Sequence, residues 1–146
     1  MGLALCSLSF AQSVNAVSVG PMRPLPAKRG ETVVVKLPLA IKPGFHINSN
    51  APNDPYLIPL RITWTAGEFE VARPNYPKPS EETYPFSAKP LSVFSGDIEV
   101  ETSLKIPAAA AKGSTPIAGK LRYQACNDKM CLPPKTVDVQ ATIVVQ

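Results

Sequence analysis

Apolar and polar residues alternate with a period of two along most of this chain. From Asp97 to Ile106 every second residue is apolar, apart from Thr102, and the residues between are polar. This pattern predicts a strand with one buried and one solvated face. The segments 32–41, 117–125 and 136–145 alternate in the same way, with Pro38 indicating an edge or a bulge in the first. We expect the last two segments to pair as neighbours.

Further strands are predicted between these segments. The even positions from Tyr56 to Trp64 are apolar, which predicts a strand over 56–65 with Trp64 anchored in the core. Shorter candidates lie at 45–48, 68–72 and 91–94, which makes about seven or eight strands, as in a two-sheet sandwich. Residues 50–55 and 74–90 are proline-containing stretches that predict long loops. The predicted fold class is therefore all-β, an immunoglobulin-like β-sandwich.

Composition narrows the choice of fold and partner. Seventeen prolines among 146 residues leave no room for long helices. A hydrophobic share of 45% with only 18% charged residues excludes a disordered chain, and the length fits one domain. The net charge is +4, but the basic residues are dispersed, so no nucleic-acid partner is expected. No apolar stretch approaches the roughly 18 residues that cross a bilayer.

The N-terminal residues predict export. Residues 3–12 are apolar, rich in small side chains, and end near Ala11 in a sequence like a signal-peptidase site. A docked or frayed N-terminal strand is the alternative. We expect residues 1–26 to be a residual export signal and N-terminal extension, and residues 27–146 to be the domain. If Cys6 leaves with the signal, Cys126 and Cys131 remain as a pair that can form a disulfide in an oxidising compartment.

The two later cysteines are the main chemical candidates. Four residues separate Cys126 from Cys131, so a turn between two strands can bring them to disulfide distance. A bridge that closes so short a loop adds little stability, whereas a thiolate at a hairpin tip can reach an incoming disulfide. Spacing alone leaves two interpretations open, an inert structural disulfide in a binding module and a redox-active pair.

Copper binding is a second class of function. Cys126, Met130 and Cys131, with His46, are soft ligands of the kind that select Cu(I). His46 is the only histidine, and it fits either a base beside a thiol or a hydrogen-bonded strand residue.

The cysteine motif also resembles that of a known family. It reads Tyr-Gln-Ala-Cys at 123–126 and Cys-Leu-Pro-Pro-Lys-Thr-Val at 131–137, preceded by Pro-Gly-Phe-His-Ile-Asn-Ser-Asn at 43–50. In these features the chain resembles the N-terminal periplasmic domain of the transmembrane thiol:disulfide interchange protein DsbD, over roughly residues 27–145. The resemblance implies an immunoglobulin-like fold and a cofactor-independent protein-disulfide reductase in the periplasm of the cell envelope.

The resemblance also implies partners and cysteine roles. Cys131 matches the cysteine that forms mixed disulfides with partners, and Cys126 matches its resolving mate. The electron donor would be a thioredoxin-like domain supplied through a membrane domain, so membrane association would come only through a partner. The acceptors would be other oxidised periplasmic thiol oxidoreductases.

The resemblance also implies which residues lie near the cysteines. Family members shield their cysteines with a loop that carries an aromatic ring, and the matching positions here are Tyr84 and Phe86. The alternative is that both rings simply pack on the sandwich. His46 and Asn48 stand where the best-known member carries tyrosines, and Tyr123 opens the cysteine motif. We expect these five residues around the active cysteines.

Overall fold

The chain folds into β-strands joined by turns and loops. The computed structural model describes residues 15–146, which contain twelve strands and no helix. No helix long and apolar enough to cross a membrane occurs within these residues. The strands are β1 (Val17–Val19), β2 (Leu25–Ala27), β3 (Thr32–Ile41), β4 (His46–Asn48), β5 (Arg61–Thr65), β6 (Glu70–Val71), β7 (Ser80–Glu82), β8 (Leu91–Phe94), β9 (Asp97–Lys105), β10 (Gly113–Tyr123), β11 (Ala125–Cys126) and β12 (Lys135–Val145).

These strands form three hydrogen-bonded sheets of four strands each. The first sheet has the order β1-β3-β9-β6, the second β2-β12-β10-β5 and the third β11-β4-β8-β7. All pairs are antiparallel except β2 with β12. The third sheet carries Cys126, His46 and Asn48 of the residues expected at the site.

The hydrophobic core lies between the inner faces of the first two sheets. In β3 the residues alternate between buried and less buried, so Val33, Leu37 and Ile41 enter the core. Trp64 of β5 is buried, and its Nε1 donates a hydrogen bond to Thr102 Oγ1 of β9 at 3.2 Å. This bond joins the second sheet to the first. The alternating pattern therefore marks burial correctly, and Trp64 is confirmed as a core residue.

The longest predicted strands are confirmed and two predictions are wrong. β10 and β12 pair along their full length, from Gly113 opposite Val145 to Tyr123 opposite Lys135, as expected. The predicted strand over 56–65 begins only at residue 61, and residues 54–57 form a turn in which Leu57 donates to the carbonyl of residue 54. The predicted loop over 74–90 contains β7, whose three residues are all exposed.

The N-terminal part of the described chain belongs to the sheets. β1 pairs with β3, and β2 runs parallel to β12. Both strands begin within the segment expected to be an N-terminal extension. The export signal expected at residues 3–12 lies outside the described residues.

Gly119 allows close packing in the middle of β10. Its neighbours across the sheet are Trp64 on one side and Val139 on the other. A Cβ added to Gly119 would lie 2.7 Å from Val139 Cγ2 and 2.8 Å from Trp64 Cε3. The absence of a side chain at residue 119 therefore makes room for the indole ring in the core.

Replacing Gly119 by alanine should destabilise the domain. The added methyl group forces the Trp64 ring or the Val139 side chain to move, which should lower the free energy of unfolding by about 1–3 kcal/mol. Urea denaturation followed by the fluorescence of Trp64, the single tryptophan, measures this change. Ala118→Ser, on the exposed face of the same strand, is the control. Equal stability of the two variants would contradict the packing argument.

Candidate functional site

The two cysteines close a hairpin that follows the β10–β12 ladder. Cys126 and Cys131 are joined by a disulfide, with Cα atoms 3.9 Å apart, and they face each other as an antiparallel bridge. Two backbone hydrogen bonds flank the pair: Asn127 N–H to Met130 O and Leu132 N–H to Ala125 O, each at 2.8 Å. The cysteines thus occupy a non-hydrogen-bonded position, where side chains of antiparallel strands approach most closely.

Side chains near the cysteines fix the shape of the hairpin. Asn127 Oδ1 accepts hydrogen bonds from the backbone N–H groups of Lys129 at 2.9 Å and Met130 at 2.8 Å. This arrangement is an Asx turn, in which an asparagine side chain replaces a backbone partner. At the base of the hairpin, Gln124 Nε2 donates to the carbonyl of Leu132 at 3.3 Å. These hydrogen bonds therefore hold the hairpin together with the disulfide.

The two halves of the disulfide differ in exposure. Cys126 is only 1% exposed, whereas Cys131 is exposed to solvent. Met130, beside Cys131 in the turn, is 56% exposed. An attacking thiolate from another protein therefore has access to the Cys131 side of the bridge, and the Cys126 side is covered.

His46 lies directly across the third sheet from Cys126. β11 pairs with β4 so that Cys126 is opposite His46 and Ala125 is opposite Ile47. Side chains of directly opposed residues project from the same face of a sheet, with Cβ atoms about 5 Å apart. The short β4–β11 pairing thus places an imidazole beside the buried cysteine.

Three aromatic rings form what we term the aromatic stack, made of His46, Tyr84 and Phe86. The Tyr84 ring lies 4.1 Å from the His46 ring, centroid to centroid, at an interplanar angle of 17°. The Phe86 ring continues the stack 5.5 Å from Tyr84 and 6.5 Å from His46. β7 pairs with β8 and leads directly into the chain segment that carries Tyr84 and Phe86. The two rings chosen from the sequence therefore lie together, over the imidazole that neighbours Cys126.

Burial keeps the aromatic stack uncharged near neutral pH. His46 is 3% exposed, and burial lowers the pKa of its imidazole below the ordinary value. Burial raises the pKa of Tyr84, and the nearby Glu82 carboxylate raises it further. His46 Nε2 is buried without a hydrogen-bond partner. The stack is a neutral and largely apolar cover that contains one unsatisfied polar atom.

Asn48 and Tyr123 have supporting positions. Asn48 is 1% exposed, and its Nδ2 donates a hydrogen bond to the carbonyl of Ile58 at 3.0 Å, which holds the segment between β4 and β5. Tyr123 ends β10 inside the hydrophobic core, where burial raises the pKa of its hydroxyl. Neither residue is a member of the aromatic stack.

Sequence reasoning missed a brace at the base of the aromatic stack. Asn53 Nδ2 donates to Glu81 Oε2 at 2.9 Å and to the carbonyl of Pro90 at 3.0 Å. Glu81 precedes the Tyr84–Phe86 segment and Pro90 follows it, so one asparagine ties both ends of that segment to the loop at residues 50–55. The only signal was an asparagine in a turn-rich stretch, which does not identify its distant partners.

A copper site in this hairpin would need the two cysteines as free thiolate ligands. Within residues 15–146 no group of three or more His, Cys, Asp or Glu residues is arranged to hold a metal ion. Cys126 and Cys131 are bonded to each other, so neither sulfur is a free thiolate ligand in this state.

Comparison with solved structures identifies similar β-sandwich folds. The N-terminal periplasmic domain of ScsB from Proteus mirabilis matches with a TM-score of 0.53 at 15% identity, over 85% of this chain and 43% of that chain. The seventh ScaB type I cohesin from Pseudobacteroides cellulosolvens matches with a TM-score of 0.50 at 16% identity, over 89% of this chain and 90% of that one. This chain thus spans less than half of the ScsB chain, and the predicted immunoglobulin-like β-sandwich is confirmed.

Sequence comparison identifies the family. No protein with a curated description matches this chain. The family model for the thiol:disulfide interchange protein DsbD, N-terminal, matches residues 14–143. This match covers nearly all of the described chain and includes both cysteines of the disulfide and all three rings of the aromatic stack. The chain therefore belongs to the family of the N-terminal domain of the thiol:disulfide interchange protein DsbD.

Proposed function

We propose that this domain is a periplasmic protein-disulfide reductase that passes electrons from a thioredoxin-like donor to other oxidised exported thiol oxidoreductases. Family membership supports the interchange chemistry. The observation that carries the proposal is the unequal exposure of one disulfide, with Cys131 open at a hairpin turn and Cys126 covered. A partner protein can reach the sulfur of Cys131, and the sulfur of Cys126 remains available to resolve the mixed disulfide.

Reduction of the domain begins at Cys131. A donor thiolate attacks Cys131 Sγ, the Cys126–Cys131 bond breaks, and Cys126 leaves as a thiolate with the bonding electron pair. The second donor thiolate then attacks the donor sulfur of the mixed disulfide and releases Cys131 as a thiolate. The donor is oxidised to its disulfide and the domain gains two electrons.

When the reduced domain passes its electrons to an acceptor, Cys131 becomes the attacking thiolate. The Cys131 thiolate attacks a sulfur of the acceptor disulfide and forms a mixed disulfide, releasing one acceptor thiolate. Cys126 then attacks Cys131 Sγ, which releases the second acceptor thiolate and restores the bridge. Cys126 resolves the complex in this scheme because its position opposite Cys131 holds it within reach throughout.

An inert structural disulfide has weaker support. The bridge joins residues only five apart in sequence, so on the chain-entropy model it restricts the unfolded chain very little. The hairpin already has backbone hydrogen bonds on both sides of the pair and an Asx turn at its tip. Stability alone therefore gives little reason for the bridge.

The aromatic stack is the proposed cap. It is connected to Cys126 through His46, because Tyr84 packs on His46 and His46 is opposite Cys126. We assign it to protecting Cys126 from small oxidants and thiols while Cys131 remains available to proteins. A buried thiol beneath apolar rings reacts slowly with small reagents.

Mixed-disulfide trapping tests the cysteine roles. In a Cys6→Ser background, Cys126→Ala should accumulate a covalent complex with an oxidised thioredoxin-fold protein, because Cys131 attacks and no thiol resolves the product. Non-reducing electrophoresis and intact-mass measurement detect the complex.

Cys131→Ala in the same background is the matched control and should give little complex. A complex that forms with Cys131→Ala and is absent with Cys126→Ala would reverse the assigned roles. If neither variant forms a complex and reduced glutathione does not reduce the wild-type disulfide, the bridge is inert and the proposed function is refuted.

Alkylation of a single cysteine tests the cap. In a Cys6→Ser, Cys131→Ala protein, Tyr84→Ala should speed the reaction of Cys126 with iodoacetamide severalfold, because it removes the ring that lies on His46. Tyr56→Ala is the control, since Tyr56 is 91% exposed and outside the aromatic stack. Equal rates for the two variants would show that Tyr84 only packs on the sandwich.

A further inference from the structure

His46 carries an unsatisfied polar atom and stands opposite Cys126, whose sulfur changes charge during the proposed reaction. Its Nε2 is buried and has no hydrogen-bond partner while the disulfide is intact. Leaving a buried donor or acceptor unpaired is unfavourable, because the loss of its hydrogen bonds to water is not compensated. The cross-strand partner of His46 is Cys126, the cysteine that leaves as a buried thiolate when the bridge is reduced.

The imidazole of His46 can donate the hydrogen bond that the thiolate of Cys126 can accept. A disulfide sulfur is a weak acceptor, whereas a thiolate is charged, and hydrogen bonds to charged groups are about twice as strong as neutral ones. Burial holds the imidazole neutral, so one ring nitrogen carries a hydrogen and can donate it. Breaking the bridge frees Cys126 Sγ to turn about its own χ1 toward the opposed strand.

We propose that His46 Nε2–H donates a hydrogen bond to Cys126 Sγ in the reduced domain, and that this bond favours reduction of the disulfide. The inference deepens the proposed function, because it assigns a stabilising group to the thiolate that the interchange step produces. Reduction transfers two electrons to the two sulfurs, and His46 keeps its own proton throughout.

The surroundings favour His46 over other groups for this role. Lys129, the cation in the turn, is exposed, so water screens its charge from a buried sulfur. Glu82 is the acidic group that acts on Tyr84, and a carboxylate disfavours a nearby thiolate. Tyr84 covers the imidazole ring and keeps water from it, which strengthens a hydrogen bond made beneath it.

The reduction potential tests this inference. Titration of the Cys6→Ser domain against reduced and oxidised glutathione gives the equilibrium constant for reduction. His46→Phe keeps a ring for Tyr84 to stack on and removes the donor, so it should lower this constant about tenfold, a shift of roughly 30 mV toward a more reducing potential. His46→Gln keeps an N–H donor and should restore part of the difference.

Phe86→Ala is the matched control, because it alters the outer end of the aromatic stack and leaves His46 in place. Its potential should shift by much less than that of His46→Phe. If the reduction potential of Phe86→Ala shifts as much as that of His46→Phe, the effect comes from the cap and the inference is overturned.

The ionisation of Cys126 gives an independent readout. In the Cys6→Ser, Cys131→Ala protein, the ultraviolet absorbance of the thiolate as a function of pH reports the pKa of Cys126. Adding His46→Phe should raise that pKa by about one unit, which corresponds to the tenfold change above.

Different results would contradict the role of His46 and the proposed function of the domain. A domain that glutathione reduces normally, with an unchanged potential and an unchanged Cys126 pKa in His46→Phe, would overturn the role of His46 and leave the proposed function standing. A domain whose disulfide no glutathione buffer reduces would overturn the proposed function itself.

Discussion

The pairing of β11 with β4 is the constraint on which the candidate site depends. These strands share only two register positions, yet they fix which side chain lies beside the buried cysteine. β4 also pairs with β8, and β8 with β7, which leads into the Tyr84–Phe86 segment. One small sheet therefore collects the disulfide, the histidine and the aromatic rings, while the two larger sheets supply the core that supports it.

Long strands could be predicted from the sequence because each has one buried and one solvated face. β3, β9 and β12 show this alternation, and the structure buries most of the residues that the pattern selected, with Ile98 and Val137 only partly buried. The segment 56–60 carries the same alternation of residue types but contains Pro59, which has no N–H for a ladder. β7 consists of exposed polar residues, so no hydrophobic signal marks it.

The candidate site could be predicted only in part. The cysteine pair is local in sequence, so its spacing alone predicted that a turn can bring the two residues to disulfide distance. The Asx turn that shapes this hairpin was not predicted. The contact of His46 with Tyr84 and its position opposite Cys126 join segments that are far apart along the chain. Such contacts depend on which strands pair, and a single sequence does not fix that choice. For the same reason the brace made by Asn53 had no visible signal.

The ring closed by Cys126 and Cys131 is small, because the two residues are only five apart in sequence. Backbone hydrogen bonds and an Asx turn also hold the hairpin, and the hydrophobic core is built mainly by the first two sheets. On the chain-entropy model, opening so small a ring adds little freedom to the unfolded chain. Under the proposed function, the redox state of the two sulfurs would therefore be only weakly linked to the folding equilibrium.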